Sequence, residues 1–427
     1  MSMYKHKFID PIHAFIRYSD KEKLVLNSWP MRRLHYVKQN SLAYLIYPGA
    51  THCRFEHSLG VMELAGRVFD TIVAEENRHR DCRDYFPSQE DLLYWRKVLR
   101  LAALCHDIGH LPFSHAAEEE ILPEKVSHET FTRDLIFSDE MRAIWEKIDK
   151  RICVEDIVKL AIGKKKSGLS FTPWEELLSE LIVGDVFGVD RMDYLLRDSH
   201  YTGVAYGRFD HYRLIDTLRV LPSVKDGEKG SISLGVDEGG LRSAEDLLLS
   251  RYFMFKQVYF HDVCRVYSMH YTDFLKAWLK KNPKMSMNIQ QLTDNEVLAE
   301  MIQAMNDPSH LGHDPACCIL KMKHYKLLYQ PNTSLKKDLD LLEGKSIYEE
   351  AVKEFGRDAV KHDRGDKTGL RPQFPVLTRT NGVESSSKLS FILSSLPPVE
   401  VEHVFIRQEE YPKAKKWLKG ILESRES

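Results

Sequence analysis

The sequence predicts a mainly α-helical protein that carries a small mixed α/β region at its C-terminal end. Apolar residues recur at helical spacing through most of the chain up to about Lys280. Turn residues such as Pro48-Gly49, Gly109 and Pro112 stand between those stretches. After about Pro331 the texture changes to polar, Gly- and Pro-containing segments with short strand-like runs.

Residues 1–50 mix short extended and helical pieces, with Asp10 to His13 reading as a turn and Leu42 to Tyr47 as a short apolar run. From Arg54 to roughly Glu76 a helix is expected, because Val61, Leu64, Ala65, Val68 and Ile72 fall on one face. Leu92, Leu93, Val98, Leu99, Ala102 and Ala103 give the next helix, Asp91 to Cys105, which Gly109 and Pro112 end. Ser114 is placed to cap a short helix with Glu118, Glu119 and Glu120 in its first turns, where carboxylates suit the helix dipole. Further helices are expected at 127–137, 139–149, 153–162, 173–183 and 189–199, with Gly163 to Gly168 as an exposed basic loop. The alternating Ser-Ile-Ser-Leu within 220–240 predicts a small hairpin, and Leu241 to Lys280 a long helix with a bend. The C-terminal region is expected to hold a helix at 346–360, strands at Lys388 to Leu393 and Val399 to Ile406, and a final helix from Tyr411. The expected division is a large domain over 1–330 and an appendage over 331–427.

At 427 residues the chain is long for one domain, and 43% hydrophobic against 29% charged residues is an ordinary globular balance that excludes wholesale disorder. With 61 basic and 63 acidic side chains the formal net charge is −2, so no global basic field exists to hold nucleic acid or anionic lipid. The seven cysteines include no C-x-x-C, which argues against a zinc ribbon or a disulfide framework. The N-terminal stretch lacks the apolar run of a signal peptide, and no uninterrupted apolar run of about 18 residues appears. A cytoplasmic enzyme that does not enter membranes is the expectation.

The residues that carry chemistry are His57, the pair His106-Asp107, and Asp190. Two imidazoles and two carboxylates form a mixed N/O set suited to Mn, Fe, Zn, Co or Ni and less well to Ca. His57 lies near the start of one expected helix, His106 and Asp107 end another, and Asp190 opens a third; side chains converging from facing helices are a common way to build a metal site. A lone His-Asp pair in a chain with 19 histidines is ordinary surface or capping chemistry. The context changes that reading: CHDIGHLPFSH gathers three histidines around a glycine and a proline, which stabilises no helix and suits a metal-and-phosphate pocket. In VDRMDYLLRD, Asp190, Tyr194 and Asp198 share one helix face, flanked by Arg191 and Arg197. Alone, that pattern is a solvated face whose pairs contribute a few tenths of a kcal/mol each.

These fragments, His52 to Val61, His106 to His115, His128-Glu129 and Val189 to Asp198, resemble the HD-domain deoxynucleoside triphosphate triphosphohydrolases, the branch of the animal SAM-and-HD-domain enzyme and its bacterial relatives. Asp10 to His13, Arg33 to Gln39 and Tyr47 to His52 extend the likeness, which runs from about residue 8 to about residue 280 without a SAM domain. The resemblance implies an HD-type helical core with His57, His106, Asp107 and Asp190 as ligands of one divalent metal ion (Mn, Fe, Zn, Co, Ni or Mg) and further Mg arriving with the nucleotide. It implies that Arg54, His110, His115, His128, Arg191, Tyr194 and Arg251 line a triphosphate path, that Gln39 and Asp198 meet the sugar, and that Tyr259 stands near sugar or base. The implied reaction is cleavage at the α-phosphate to deoxynucleoside and tripolyphosphate. His115 is the candidate proton donor to the leaving 5′ oxygen, because imidazole titrates near neutral pH, and Glu118 is the candidate group to orient it.

Several positions depart from that family. Asn40-Ser41-Leu42-Ala43 replaces a glycine-rich stretch, Phe260 stands in place of a glutamine near the base, and Lys256 and Gln257 replace arginines. His35 replaces an arginine linked to guanine-nucleotide activation, so base preference and control by a nucleotide activator do not carry over. The aromatic stretch Tyr252, Phe253, Phe255, Tyr259 and Phe260 reads as core or as the interface of a homo-oligomer, a dimer or tetramer. Two other functions remain in play: an HD phosphohydrolase of nucleoside monophosphates or another phosphoester, and a nucleotide-binding regulator.

Overall fold

The computed structural model describes residues 4–114, 118–224, 231–331, 344–367 and 373–426. The fold is mainly α, as the periodicity predicts, with three small sheets among the described residues. The N-terminal hairpin pairs β1 (His6–Asp10) with β2 (Ala14–Tyr18). The helices that build the centre are α1 (Arg54–Val73), α2 (Gln89–Cys105), α3 (His128–Ile136), α4 (Val154–Ser167), α5 (Pro173–Val183) and α6 (Val189–Thr202). Behind them come the hairpin β3 (Leu218–Pro222) and β4 (Ile232–Asp237), then α7 (Leu241–Met254), α8 (Asp262–Lys281), α9 (Asp294–Asn306) and α10 (His313–Leu320). The remainder is β5 (Lys326–Tyr329), α11 (Gly344–Phe355), β6 (Val360–Lys367), β7 (Pro375–Leu377), β8 (Val383–Ser385), β9 (Val399–Ile406) and α12 (Tyr411–Glu426).

The stripe read from the sequence is the core-facing side of α1: Val61, Leu64, Ala65, Val68 and Ile72 are fully buried. Burying each large aliphatic side chain contributes about 1.5–3 kcal/mol, so this stripe largely decides where α1 sits. The other expected helices appear with ends shifted by a few residues, and the 220–240 hairpin is present as β3–β4.

Three local expectations are corrected. The basic loop at Gly163 is instead the continuation of α4: Gly163 adopts φ 77° and kinks the helix, which runs on to Ser167 and is capped by left-handed Gly168. Lys164 and Lys166 project from that last turn to Glu176 and Glu129. The strand expected at Lys388 to Leu393 is two short helices, Ser386–Leu389 and Phe391–Ser395. Ser390 caps the second by accepting from the Leu393 amide at 3.1 Å, and serine at an N-cap outweighs the apolar run Phe391-Ile392-Leu393. Ser114 is no helix cap: at φ 58° it donates to the Lys38 carbonyl at 2.7 Å and accepts from Arg54. The bend in the long helix is a π-helical turn, Phe255–Tyr259, between α7 and α8. Such a turn inserts one residue into the helical ladder and re-aims its side chains.

Two pairings cross the division expected at 330/331. β5 joins the C-terminal sheet in the order β5-β9-β6, and β7 runs parallel to β4 in the order β3-β4-β7-β8. A further tie is buried. His270 on α8 accepts the Tyr325 amide through Nε2 at 3.3 Å, and the Tyr325 hydroxyl donates to the Asp358 carbonyl at 2.6 Å. Burial, and then the cations Lys361, His324 and Arg407, push the His270 imidazole down to about 3. Folding therefore takes up His270 as a neutral acceptor. The unfolded chain binds this proton below about pH 6.5 and the folded one only near pH 3, so stability falls as pH drops through that window. Urea titrations from pH 7 to pH 4 should show a loss on the order of a few kcal/mol, and the loss should be shallower in His270→Gln. An identical slope in both proteins would place the titration elsewhere.

Candidate metal centre and phosphate slot

α1 starts where Glu56 accepts the Cys53 amide at 2.9 Å, which places Arg54 and His57 in the first helical turns. α2 ends with His106 as its C-cap, and the turn after it swings Asp107 back toward α1. That turn lies hard against α3. A Cβ at Gly109 would stand 2.4 Å from the His128 carbonyl oxygen, so only glycine allows the approach. Thr132 locks it by accepting the Gly109 amide at 3.1 Å and donating to the His106 carbonyl at 3.2 Å. Asp190 sits in the first turn of α6.

The four expected ligands meet. His57 Nε2 is 3.1 Å from Asp190 Oδ1 and 3.7 Å from Asp107 Oδ2. His106 Nε2 is 3.3 Å from Asp107 Oδ1 and 3.5 Å from Asp190 Oδ1. The ligand atoms of His57, His106 and Asp107 all lie within 4.8 Å of one another. Residues separated by more than 130 positions thus surround one point. A divalent cation fits this donor set on a specific observation. His106 donates Nδ1–H to the Ala103 carbonyl at 2.8 Å, which leaves Nε2 bare, buried and without a hydrogen-bond partner. A buried lone pair with nothing to accept from is costly unless a cation takes it.

Electrostatics agrees. Burial raises the Asp107 and Asp190 carboxyls, but the surrounding imidazoles, with Arg54 beside Asp107, outweigh it and hold both well below the usual carboxylate range. Burial pulls the His57 imidazole down, yet its bonds to Asp190 and Asp193 lift it to about 10. The imidazoles here answer the same carboxylate charge that a divalent ion would answer.

Behind the ligands stands a second layer that the sequence reading did not single out. Asp193, fully buried, accepts from His57 Nδ1 at 2.8 Å and pairs with His13 Nε2 at 2.6 Å. Arg197 grips the same carboxylate through Nε at 2.8 Å and Nη2 at 2.9 Å, and reaches Asp10 at 2.8 Å. Asp10 in turn accepts the Ile12 and His13 amides, so the Asp-Pro-Ile-His turn is part of the site's support. A Cβ on Gly60 would stand 1.8 Å from Asp193 Oδ1, so α1 must offer glycine there. The available signal for Asp193 was its place three residues after Asp190 on one helix. Asp294 had no local signal, and Arg33 entered only as the first residue of a motif. Buried Arg33 donates to the Leu292, Ile108 and His110 carbonyls, and Asp294 accepts the Lys38 amide at 2.8 Å and the Phe113 amide at 2.7 Å.

The remaining expected residues fall around this centre. Arg54 is buried and hydrogen-bonded to Asp107 and to Ser114. His110 Nε2 is 3.3 Å from Asp107, and its ring stacks on His128 at 3.9 Å. Glu118 holds the His128 ring, accepting at 2.9 and 3.0 Å, as well as the His128 amide. The expected partner of Glu118, His115, lies outside the described residues. Arg191 and Arg251 converge on the turn after α5: Arg191 on the Val183 and Gly184 carbonyls and Asp185, Arg251 on the Asp185 carbonyl. Arg251 Nε is buried and unpartnered. Further along α6, Asp198 accepts from the Tyr259 hydroxyl and pairs with His52, each at 2.7 Å. The Tyr194 ring lies 6.1 Å from that of Tyr259. Gln39 is tied to His52 through its backbone, and buried side-chain atoms of Gln39, Asn40 and Ser41 have no protein partner.

A helical core that closes a His, His-Asp, Asp quartet between three helices is the HD type of metal centre. Residues 54–197 match the HD domain and residues 209–313 the HD associated region. The chain belongs to the HD-domain family, with the HD associated region following the core. A crystal structure of a hypothetical protein from Aquifex aeolicus is similar at 33% identity and TM-score 0.78, over 97% of this chain and 99% of that one. A phosphohydrolase from Bacteroides thetaiotaomicron shares the fold at 21% identity and TM-score 0.71, over 94% of this chain and 100% of that one. An uncharacterized Methanocaldococcus jannaschii protein is 33% identical over 68% of this chain and 53% of its own length. The human deoxynucleoside triphosphate triphosphohydrolase SAMHD1 is 30% identical over 63% of this chain and 44% of its own. The chain spans about half the length of the curated relatives it matches.

Because Asp193 fixes the tautomer and direction of His57, Asp193→Asn should lower Mn2+ affinity roughly ten- to a hundredfold in a calorimetric titration of metal-stripped protein. Unchanged affinity would mean that Asp193 only fills space.

Proposed function

We propose that this chain hydrolyses deoxynucleoside triphosphates to deoxynucleoside and tripolyphosphate. The observation that carries the reading is the order of groups along α6. Asp190 at the metal centre, Tyr194 and Asp198 lie on one face in successive turns, with cations on one side and unpartnered polar atoms at the far end. A bound divalent ion supplies an acidified water and polarises a phosphoryl oxygen. The chain's own part is charge and position. Arg54, His110 and His128 stand at the Asp107 side of the centre, and Arg191 and Arg251 at the turn after α5. Five cationic or ionisable groups suit a triphosphate better than a single phosphate, because each ionised contact offsets charge that develops in the transition state. Asp198, already bonded to Tyr259 and His52, offers an acceptor edge for a sugar hydroxyl, and the Gln39 amide is bonded to the His52 carbonyl. His115 keeps its proposed part as proton donor to the 5′ oxygen.

The proposal extends to assembly and setting. Exposed Phe253 and Tyr206, whose rings lie 6.4 Å apart, support a homo-oligomer. Among the described residues no helix is long and apolar enough to cross a membrane.

Purified protein given each deoxynucleoside triphosphate with Mn2+ should release deoxynucleoside and tripolyphosphate, resolved by ion-exchange chromatography. Arg251→Ala, which removes a buried guanidinium, should cut kcat/KM by roughly a hundredfold or more, the scale seen when a preorganised charge is lost. Monophosphate and pyrophosphate as products, or full activity only on monophosphates in that variant, would overturn the assignment.

A further inference from the structure

The HD associated region reaches the site through one side chain, Asp294, the first residue of α9. The helix does not need this carboxylate for its own start. Thr293 caps it by accepting the Asn295 amide at 3.3 Å, and Glu296 closes the capping box on the Thr293 amide at 2.8 Å. Asp294 is buried, and its two oxygens serve other segments: Oδ2 accepts the Lys38 amide at 2.8 Å and Oδ1 the Phe113 amide at 2.7 Å. We infer that Asp294 is a positioning residue for the reaction proposed for this chain. It holds the turn at Phe113 and Ser114, and with it the Lys38 peptide, in the arrangement that lets Ser114 aim the Arg54 guanidinium.

Three features favour this over a carboxylate that only fills the core. The first is strain. Phe113 at φ 53° and Ser114 at φ 58° are consecutive non-glycine residues in the left-handed region. Each costs on the order of 1–2 kcal/mol and persists only where its surroundings impose it. Three holds oppose that strain: Asp294 on the Phe113 amide, the Tyr271 hydroxyl of α8 donating to the Pro112 carbonyl at 2.9 Å, and the Ser114 hydroxyl donating to the Lys38 carbonyl at 2.7 Å. The first two come from helices of the HD associated region, so the turn is set from outside the HD core. The second feature is continuity. The Lys38 peptide is held at both ends, its amide by Asp294 and its carbonyl by Ser114. The same Ser114 oxygen accepts Arg54 Nε at 2.7 Å, and Arg54 Nη1 bonds Asp107. The path from α9 to the guanidinium thus runs through backbone and one short side chain, which leaves little slack. The third feature is charge. Among the described residues the Asp294 oxygens touch amides and no cation, while Arg33, also buried, donates to backbone carbonyls instead. A buried carboxylate without an ion pair is costly, and a neutral side chain would serve packing better. What a carboxylate adds is two strong acceptors in one fork, one for each loop.

The inference rests on the triphosphohydrolase reading for the part given to Arg54, and its test separates the two. Asp294→Asn keeps the shape and removes one of the two acceptors. With the full chain, Mn2+ and a deoxynucleoside triphosphate, kcat should fall roughly ten- to a hundredfold while KM changes by less than about threefold, because Arg54 acts on charge that develops in the transition state. Ser114→Ala should show the same split. The double variant should be about as slow as the slower single one, since both substitutions act through one guanidinium. Hydrogen exchange followed by mass spectrometry should be faster in Asp294→Asn than in wild type over both 36–43 and 111–114. If Asp294→Asn does not fold, Asp294→Ser, which keeps one short acceptor, takes its place in every arm. Additive losses in the double variant, a raised KM at unchanged kcat, or unaltered exchange in both segments would overturn the inference. If the wild type cleaves no deoxynucleoside triphosphate, the substrate reading fails by itself. The exchange measurement and the same kcat comparison on bis(p-nitrophenyl) phosphate then decide the inference.

Discussion

Three carboxylates, Asp107, Asp190 and Asp193, are drawn together where α1, α2 and α6 meet, and two of them are nearly or fully out of contact with solvent. Isolated buried charge of this kind is among the most expensive features a fold can carry. Each carboxylate is therefore answered in a specific way. Asp193 is answered by Arg197, His13 and His57, and Asp107 by Arg54 and by flanking imidazoles. Asp190 is answered by the His57 and His106 imidazoles and keeps a solvent-facing edge. Metal affinity and fold stability are coupled through the same residues. Removing one partner leaves the others charged and buried, so the network behaves as a unit.

The backbone around the centre is shaped by what that network demands. Gly60 lets α1 lie against the Asp193 carboxylate, and Gly109 lets the His-Asp turn press onto α3. The loops that carry Lys38 and Phe113 are held by one buried carboxylate, Asp294, which burial pushes up to about 6 despite its two amide donors. The segment from Ser114 back to Lys38 is thus tied to α9, far outside the HD core. The HD associated region helps to support the site and does not merely follow it.

The C-terminal region meets the core near the same place from the other side. The π-helical turn carries Tyr259 to Asp198 and ends at Phe260, whose ring lies beside Gly365 of β6. Arg265 on α8 grips Asp363 of β6, and His403 of β9 adds to that carboxylate. Movement of this sheet would reach Asp198 through one turn of irregular helix. Such a turn deforms more readily than a regular helix, since its hydrogen-bond ladder is already interrupted.

Much of this was legible in the sequence. Helical periodicity placed the core helices because amphipathic spacing is a local, linear property, and Val61 to Ile72 needed only their own order to declare a buried face. The grouping of His57, His106, Asp107 and Asp190 was legible because these residue types are chemically distinctive and sit at or near helix ends. Where local signals competed, as in Phe391-Ile392-Leu393 against the capping Ser390, spacing alone gave the wrong element. Only the tertiary structure decided which groups stand behind the ligands. Arg33, His13, Asp193 and Asp294 act on residues up to 259 positions away, and their neighbours along the chain do not say which atoms they touch. A side chain that positions another is defined by the atom it touches, and contact across a packed core exists only once the helices have met.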